Sequence, residues 1–423
     1  MNGTDMQCDT EINKGTEIKT NIKKLVYGGD GFTHIGSRAC FVANGIPGDE
    51  IIAEIKNVKK QYLIASINKI LQPSNKRISP PCPYHMNCGG CQWQHIDYEY
   101  QLYWKQEILN ESLERIGNLS DIKINKIIPS SKRFNYRTRT IMQLDGKKTL
   151  PGYFMRNSHK IIPIKSCMLL EKPINTAIQD LSDKIQKITE SQKINDVEFL
   201  YLKHAHKVII SFNSNSYRKR VKPLIYACDK KNIIEKDDLI EEINGLNFIR
   251  SQRRFYQINY QQNINMIKFV IHFFSELDNP DILDLYCGCG NFSLFLAKNG
   301  AKISGIDFDE KVIQEAVKNT IANNIKNCGF KAYDLSKHNA NIYKSRYNGV
   351  LLNPPRTGAT KNVLEHILSI NPEIIVYVSC NPATLSRDLK ILLDKNYRIS
   401  EIQPFDMFPQ TYHIETIVKL TKI

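Results

Sequence analysis

Five short strand-like runs between residues 281 and 378, each ending in polar residues, constrain this chain more than any other feature. They are Asp281–Leu285, Ala301–Ile306, Gly329–Tyr333, Asn348–Leu352 and Ile374–Val378. Helix-like stretches, Phe292–Asn299 and Leu385–Leu393 among them, separate them, so the pattern predicts a doubly wound α/β sheet. Open sheets of this kind bind ligands beyond the carboxyl ends of their strands. The polar ends therefore face one crevice: Tyr286-Cys-Gly288-Cys-Gly290-Asn291, then Asp307, Asp334, Asn353-Pro-Pro-Arg356 and Ser379-Cys380-Asn381-Pro382.

Two of these ends carry chemistry. The glycines after Leu285 allow close approach of a nucleotide-like ligand, and Asp307, about twenty residues on, can accept both hydroxyls of a ribose. A third glycine is missing, which favours S-adenosylmethionine over a dinucleotide whose pyrophosphate needs a cradle. Cys380 sits where a buried strand opens into a loop. A thiol there is either a small buried hydrophobe or a nucleophile whose thiolate is stabilised by loop amides and polar groups.

The 423 residues leave room for two or three domains. Lys+Arg 58 against Asp+Glu 43 gives a net charge of +15, which favours a polyanionic partner, although a lysine-rich composition gives the same balance. Nowhere do eighteen apolar residues run together and the first ten are polar, so a cytoplasmic protein without a membrane partner is expected. Eleven cysteines in such a chain point to thiols, metal or catalysis rather than to disulfides.

Residues 1–14 read as a loose tail. Short alternating segments follow at Ile18–Ile22, Ala39–Ala43, Glu50–Lys56 and Gln61–Leu71, with turns at Tyr27–Gly31 and Gly45–Gly48, which predicts a small β-barrel. Lys56, Lys59, Lys60, Lys69, Lys76 and Arg77, beside Tyr62, resemble a nucleic-acid surface; a solvated positive face is the plainer reading. Cys82, Cys88 and Cys91 then place three thiols in ten residues, with Cys167 as a distant fourth. Four thiolates suit zinc or an iron–sulfur cube, and the absence of paired C-x₂-C knuckles favours the cube. Tyr98–Gly117 reads as an amphipathic helix with Gly117 as its C-cap. Lys132–Arg139, Tyr153–Arg156 and Tyr217–Arg220 interleave aromatics with cations, as single-stranded RNA contacts do.

Together these motifs resemble the RNA uracil-C5 methyltransferase family, closest to its bacterial 23S ribosomal RNA branch, over essentially the whole chain. The resemblance implies a class I S-adenosylmethionine-dependent methyltransferase domain at 251–423. It also implies an OB-like TRAM β-barrel at 14–75 and a β-rich central domain at 76–250, of which residues 98–125 pack with the catalytic domain. It assigns a [4Fe–4S] cluster to Cys82, Cys88, Cys91 and Cys167, the nucleophile to Cys380, and the general base to Glu415 in Asp406-Met-Phe-Pro-Gln-Thr-Tyr-His413-Ile-Glu415. Methyl-donor contacts fall on Gln257, Tyr286, Asn291, Asp307, Asp334 and Asn353. Two departures stand out: Asn353 replaces the aspartate usual before Pro-Pro-Arg, and Asp307 replaces a longer glutamate.

The expected activity is therefore methylation of uridine C5 in RNA, 23S rRNA first, by a monomer. Uracil C5 is a poor nucleophile until a thiolate adds at C6, which is the role expected of Cys380. Glu415 would remove the remaining C5 proton, and Arg356 would stabilise charge on the uracil carbonyl. The base must be flipped out of folded RNA to reach the crevice. A tRNA uridine methyltransferase would share every catalytic residue, whereas an N-methyltransferase is disfavoured by Arg356, since its motif continues with an aromatic. A non-catalytic RNA-binding iron–sulfur protein would need neither Cys380 nor Glu415.

Overall fold

In the computed structural model, the described residues are 12–144, 150–185, 187, 194–214, 224–230, 232–234, 239–250, 255–335, 337 and 346–423. They form two compact units: Met1–Ile108 with Gln410–His413, and Leu109–Pro409 with Ile414–Ile423. Most of the expected tail and all of Tyr217–Arg220 lie outside the described residues.

The first unit holds six strands: β1 (Glu17–Asn21), β2 (Lys24–Leu25), β3 (Gly31–Ile35), β4 (Arg38–Ala43), β5 (Glu50–Val58) and β6 (Tyr62–Gln72). Alternation buries Ile35, Cys40, Val42, Ile51, Ala53, Ile55, Leu63 and Ala65 on one face. The expected barrel does not close. The order is β1-β5-β6-β4-β3-β2, so β1 and β2 remain edges; a two-residue β2 is too short to ladder with β1. Phe32, Phe41 and Tyr62 point away from the core and form an edge-on aromatic row, with centroids 5.6 and 5.5 Å apart.

Two of the six basic residues expected to track a nucleic acid are ion-paired within the unit. Lys56 pairs with Glu54, and Arg77 pairs with the fully buried Asp49. Helix α1 (Tyr98–Arg115) begins in this unit and continues into the second. Its end is marked by Asn118 at φ 54°, a left-handed residue, rather than by a glycine cap at 117.

The second unit contains an antiparallel sheet of β7 (Arg139–Gln143), β8 (Gly152–Phe154), β9 (Ile161–Pro163), β10 (Ile194–Leu202), β11 (Lys207–Ser214), β12 (Leu224–Ala227) and β13 (Asn232–Ile234). Its order is β13-β12-β11-β10-β7-β8-β9, and helix α2 (Lys172–Asp180) packs against β10 and β11. The aromatic–cation strings expected to meet RNA are partly consumed here: Tyr136 is buried and donates to the Pro409 carbonyl, while Arg139 is paired with buried Glu198 at 2.7 Å.

A hairpin, β14 (Ile240–Ile243) and β15 (Leu246–Ile249), and helix α3 (Tyr260–Phe274) lead into the α/β part. That part consists of β16 (Asp281–Leu285), α4 (Ser293–Lys298), β17 (Lys302–Asp307), α5 (Glu310–Ala322), β18 (Cys328–Ala332), β19 (Gly349–Leu352), α6 (Lys361–Ile370), β20 (Ile374–Ser379), α7 (Pro382–Leu393), β21 (Tyr397–Phe405) and β22 (Glu415–Lys422). Strand order is β18-β17-β16-β19-β20-β22-β21, with β22 antiparallel to both its neighbours, so that β21 runs in the same direction as β16–β20. The switch point lies between β16 and β19, where connections leave in opposite directions. Every residue of β19 and β20 is buried, as befits strands covered on both faces.

Candidate active site

The carboxyl ends of β16, β17, β19 and β20 converge as expected. After β16, Tyr286 sits at φ 63°, and Gly290 at φ 88° would carry a Cβ 2.1 Å from the Leu294 side chain, so this turn admits no larger residue there. The Gly288 amide donates to Asp307 Oδ2 at 3.0 Å, and the Asp309 amide to Oδ1 at 3.1 Å. The Asp307 carboxylate is thus aimed by two backbone amides. Each of its oxygens keeps a lone pair for a further donor.

The remaining expected donor contacts are placed as follows. Gln257 is half-buried in the extended segment before α3. Asn291 exchanges two amide hydrogen bonds with Asn263, at 3.0 and 2.9 Å. Asp334, beyond β18, lies 4.0 Å from Lys337. Asn353 follows β19, and its amide donates to the Leu285 carbonyl at 3.2 Å, continuing the ladder beside Tyr286. Burial pushes the Tyr286 phenol up to about 12, and its hydroxyl meets the Thr360 backbone.

Cys380 follows β20 directly, and Asn381 caps α7 by accepting from the Ala383 amide, with Pro382 at the first helical position. The ladder pairs Ser379 with Thr416 in antiparallel register, so Glu415 stands across from Cys380 on the neighbouring strand. Burial first, then the Glu415 charge, raises the Cys380 thiol to about 11; Arg356 opposes both and hydrogen-bonds the sulfur. Burial raises Glu415 to about 8, again opposed by Arg356. Thiol, carboxyl and guanidinium therefore form one electrostatically coupled group.

One further acid was not foreseen. Asp284, in the middle of the first strand, is buried and takes a bond from Ser293; burial raises it to about 7. Nor was Asp388 foreseen, a fully buried aspartate on α7 joined to Tyr377, Ala359 and Arg387. Its phase was a usable signal, because it falls on the apolar face set by Leu385, Leu389 and Leu392.

The cysteine set gives a different result. Cys82, Cys88, Cys91 and Cys167 are in no disulfide and have intermediate exposure, and the first three belong to one unit and the fourth to the other. The Gly90 amide donates to Cys88 Sγ at 3.4 Å, and Cys167 is held by reciprocal bonds with Asn175. Among the described residues no group of three or more Cys, His, Asp or Glu side chains is placed to hold a metal ion. The expected metal site is therefore not displayed. No helix among them is long and apolar enough to cross a membrane.

Residues 97–423 match a family model described as tRNA (uracil-5-)-methyltransferase. An uncharacterized RNA methyltransferase of Aquifex aeolicus is 31% identical over 96% of this chain and 99% of its own length. One of Protochlamydia amoebophila is 32% identical over 96% and 98%. Among solved structures, the Pyrococcus abyssi tRNA (uracil-54, C5)-methyltransferase in complex with S-adenosyl-L-homocysteine is similar with a TM-score of 0.72 and 26% identity. The alignment covers 96% of this chain and all of that one.

Proposed function

The chain belongs to the tRNA (uracil-5-)-methyltransferase family, and we propose that it methylates C5 of a uridine in 23S rRNA through a cysteine adduct at C6. The observation that carries the mechanism is the coupled group of Cys380, Glu415 and Arg356 at the carboxyl edge of the sheet. S-adenosylmethionine supplies the electrophilic methyl when bound. Asp307, fixed by two amides, would take the ribose, and Gln257, Tyr286, Asn291, Asp334 and Asn353 would line the rest of the donor site. Asn353 can donate and accept but offers no charge.

Burial favours the protonated forms of both Cys380 and Glu415 at neutral pH. Arg356 opposes both shifts and so favours the thiolate and the carboxylate that the reaction would use. The Cys380 thiolate then adds to uracil C6, and Arg356 meets the charge that develops on the carbonyl. The carbanion-like C5 would take the methyl group as the bond between that group and the donor sulfur breaks, leaving S-adenosylhomocysteine and an adduct that still carries the C5 proton. Glu415 removes the proton left on C5, the C6–sulfur bond breaks, and the thiolate is released.

The choice of 23S rRNA rests on the resemblance over the whole sequence. A tRNA acceptor is the second reading, because the Pyrococcus neighbour acts on tRNA uracil-54. The domain division at about 14–75, 76–250 and 251–423 is part of the same proposal. So is a [4Fe–4S] cluster on Cys82, Cys88, Cys91 and Cys167. Its support is the donor set itself, four thiols outside any disulfide, and no catalytic step uses it.

The test offers 5-fluorouridine-substituted 23S rRNA fragments and tRNA separately, each with the methyl donor, and looks for a covalent band on denaturing gels. Fluorine at C5 cannot leave as a proton, so the adduct accumulates. A band with 23S fragments that is absent in Cys380→Ala supports the proposal. A band with tRNA alone moves the acceptor to tRNA, and no band with either refutes the cysteine mechanism.

A further inference from the structure

The segment that carries Arg356 has no regular structure, yet it is held at both ends of its loop by one helix. Asn381 Nδ2 and Thr384 Oγ1 both donate to the Arg356 carbonyl, at 3.0 and 3.3 Å. One turn further along α7, Arg387 Nη2 donates to the carbonyls of Thr357 and Ala359, each at 3.1 Å. Asp388 completes the arrangement. Its Oδ2 accepts from the Ala359 amide at 2.8 Å and the Tyr377 hydroxyl at 2.6 Å, and its Oδ1 accepts from Arg387 Nε at 2.7 Å.

The fit leaves no slack. Gly358 has φ 78°, and a Cβ there would lie 2.5 Å from Arg387 Nη2 and 2.6 Å from Asp388 Oδ2. Asp388 is fully buried, so its charge is satisfied only by these donors. Three elements meet at this one carboxylate: β20 through Tyr377, the loop through Ala359, and α7, whose first residues follow Cys380.

We infer that Arg387 and Asp388 are positioning residues for the proposed reaction, a clamp that fixes the Arg356 loop against the helix that follows the nucleophile. Neither touches the reacting atoms. They act by holding the guanidinium where it hydrogen-bonds the Cys380 sulfur. The inference rests on the proposed cysteine mechanism only for its consequence in RNA methylation. Its effect on the thiol is independent of RNA.

The experiment uses the full chain with Asp388→Asn and Arg387→Gln, the second because the Arg387 side chain is 49% exposed and its loss leaves no large void. Two rates are measured: covalent adduct formation on the fluorinated RNA, and alkylation of Cys380 by iodoacetamide at pH 8, read by mass spectrometry of its peptide. S-adenosylhomocysteine binding establishes that each variant is folded. Displacement of a catalytic group by about 1 Å costs on the order of 100-fold, so adduct formation should fall by that order in both. Alkylation should fall with it, and Arg387→Lys should not restore either rate, because an ammonium cannot span three acceptors as the planar fork does. Wild-type rates in both variants overturn the inference. Slow adduct formation with unchanged alkylation overturns it as well, since the defect would then lie in RNA binding. If wild-type protein forms no adduct, the cysteine mechanism fails while the alkylation comparison still decides the clamp.

Discussion

Replacing Glu415 by Gln should make the protein more stable and nearly inactive, with both effects set by the same buried carboxyl group. Burial holds Glu415 at about 8 against an ordinary 4.5. The sign follows from proton uptake: between those values the unfolded chain has released a proton that the folded one retains. Folding is therefore penalised progressively as pH rises from 4.5 to 8, and the penalty is constant above. The interval is worth at most about 5 kcal/mol at 1.36 kcal/mol per decade of proton activity. Glutamine carries no such penalty. Urea unfolding of both proteins at pH 5 and pH 8.5, followed through the β20–β22 region by hydrogen exchange, should show near-equal stability at pH 5. At pH 8.5 the variant should be ahead by about 2–5 kcal/mol, the lower figure allowing for a poorer amide fit. On fluorine-free RNA the variant should accumulate the covalent adduct, with turnover lowered about 10²–10⁴-fold, as expected for a lost general base. A stability difference independent of pH would refute the buried-acid reasoning. Wild-type turnover would remove Glu415 from the chemistry.

Asp307→Asn keeps the shape of the side chain and its two amide contacts in part, but removes the charge aimed at the ribose. The affinity for S-adenosylhomocysteine should fall by about 10–100-fold in calorimetry, the value of one charge-assisted hydrogen bond; an unchanged constant would exclude Asp307 from the donor site. The outward row of Phe32, Phe41 and Tyr62 offers ring faces and edges for unpaired bases. Phe41→Ala with Tyr62→Ala should weaken RNA binding by about 1–3 kcal/mol per stacked base while S-adenosylhomocysteine binding stays at the wild-type value. Equal RNA affinity at low and high salt in variant and wild type would show that the row serves only the sheet.

The α/β part was legible because short unbroken apolar runs such as Ile374–Val378, rich in β-branched residues and too short for a helix, recur between helix-like stretches. Its polar ends then gave Cys380, Asp307 and Asn353 their common edge. The barrel was misread because closure depends on whether distant edges meet. Nothing local to Glu17–Asn21 or Lys24–Leu25 reports that they do not. Charges misled for a related reason. Arg77 and Arg139 look like surface cations until Asp49 and Glu198, 28 and 59 residues away, are brought beside them. Asp388 carried a local signal, its phase on α7, but two of its partners come from elsewhere, Ala359 in a loop 29 residues earlier and Tyr377 on the preceding strand.

The ladder between β20 and β22 fixes more than stability. Side chains on a strand alternate between faces, so the distance between thiol and carboxylate is quantised by register. A shift of one residue would turn Glu415 to the far face of the sheet, and a shift of two would carry it a full repeat, roughly 7 Å, along the strand. No intermediate placement exists. A single slip in the pairing of Ser379 with Thr416 would leave Cys380 and Glu415 both present but on opposite faces of the sheet.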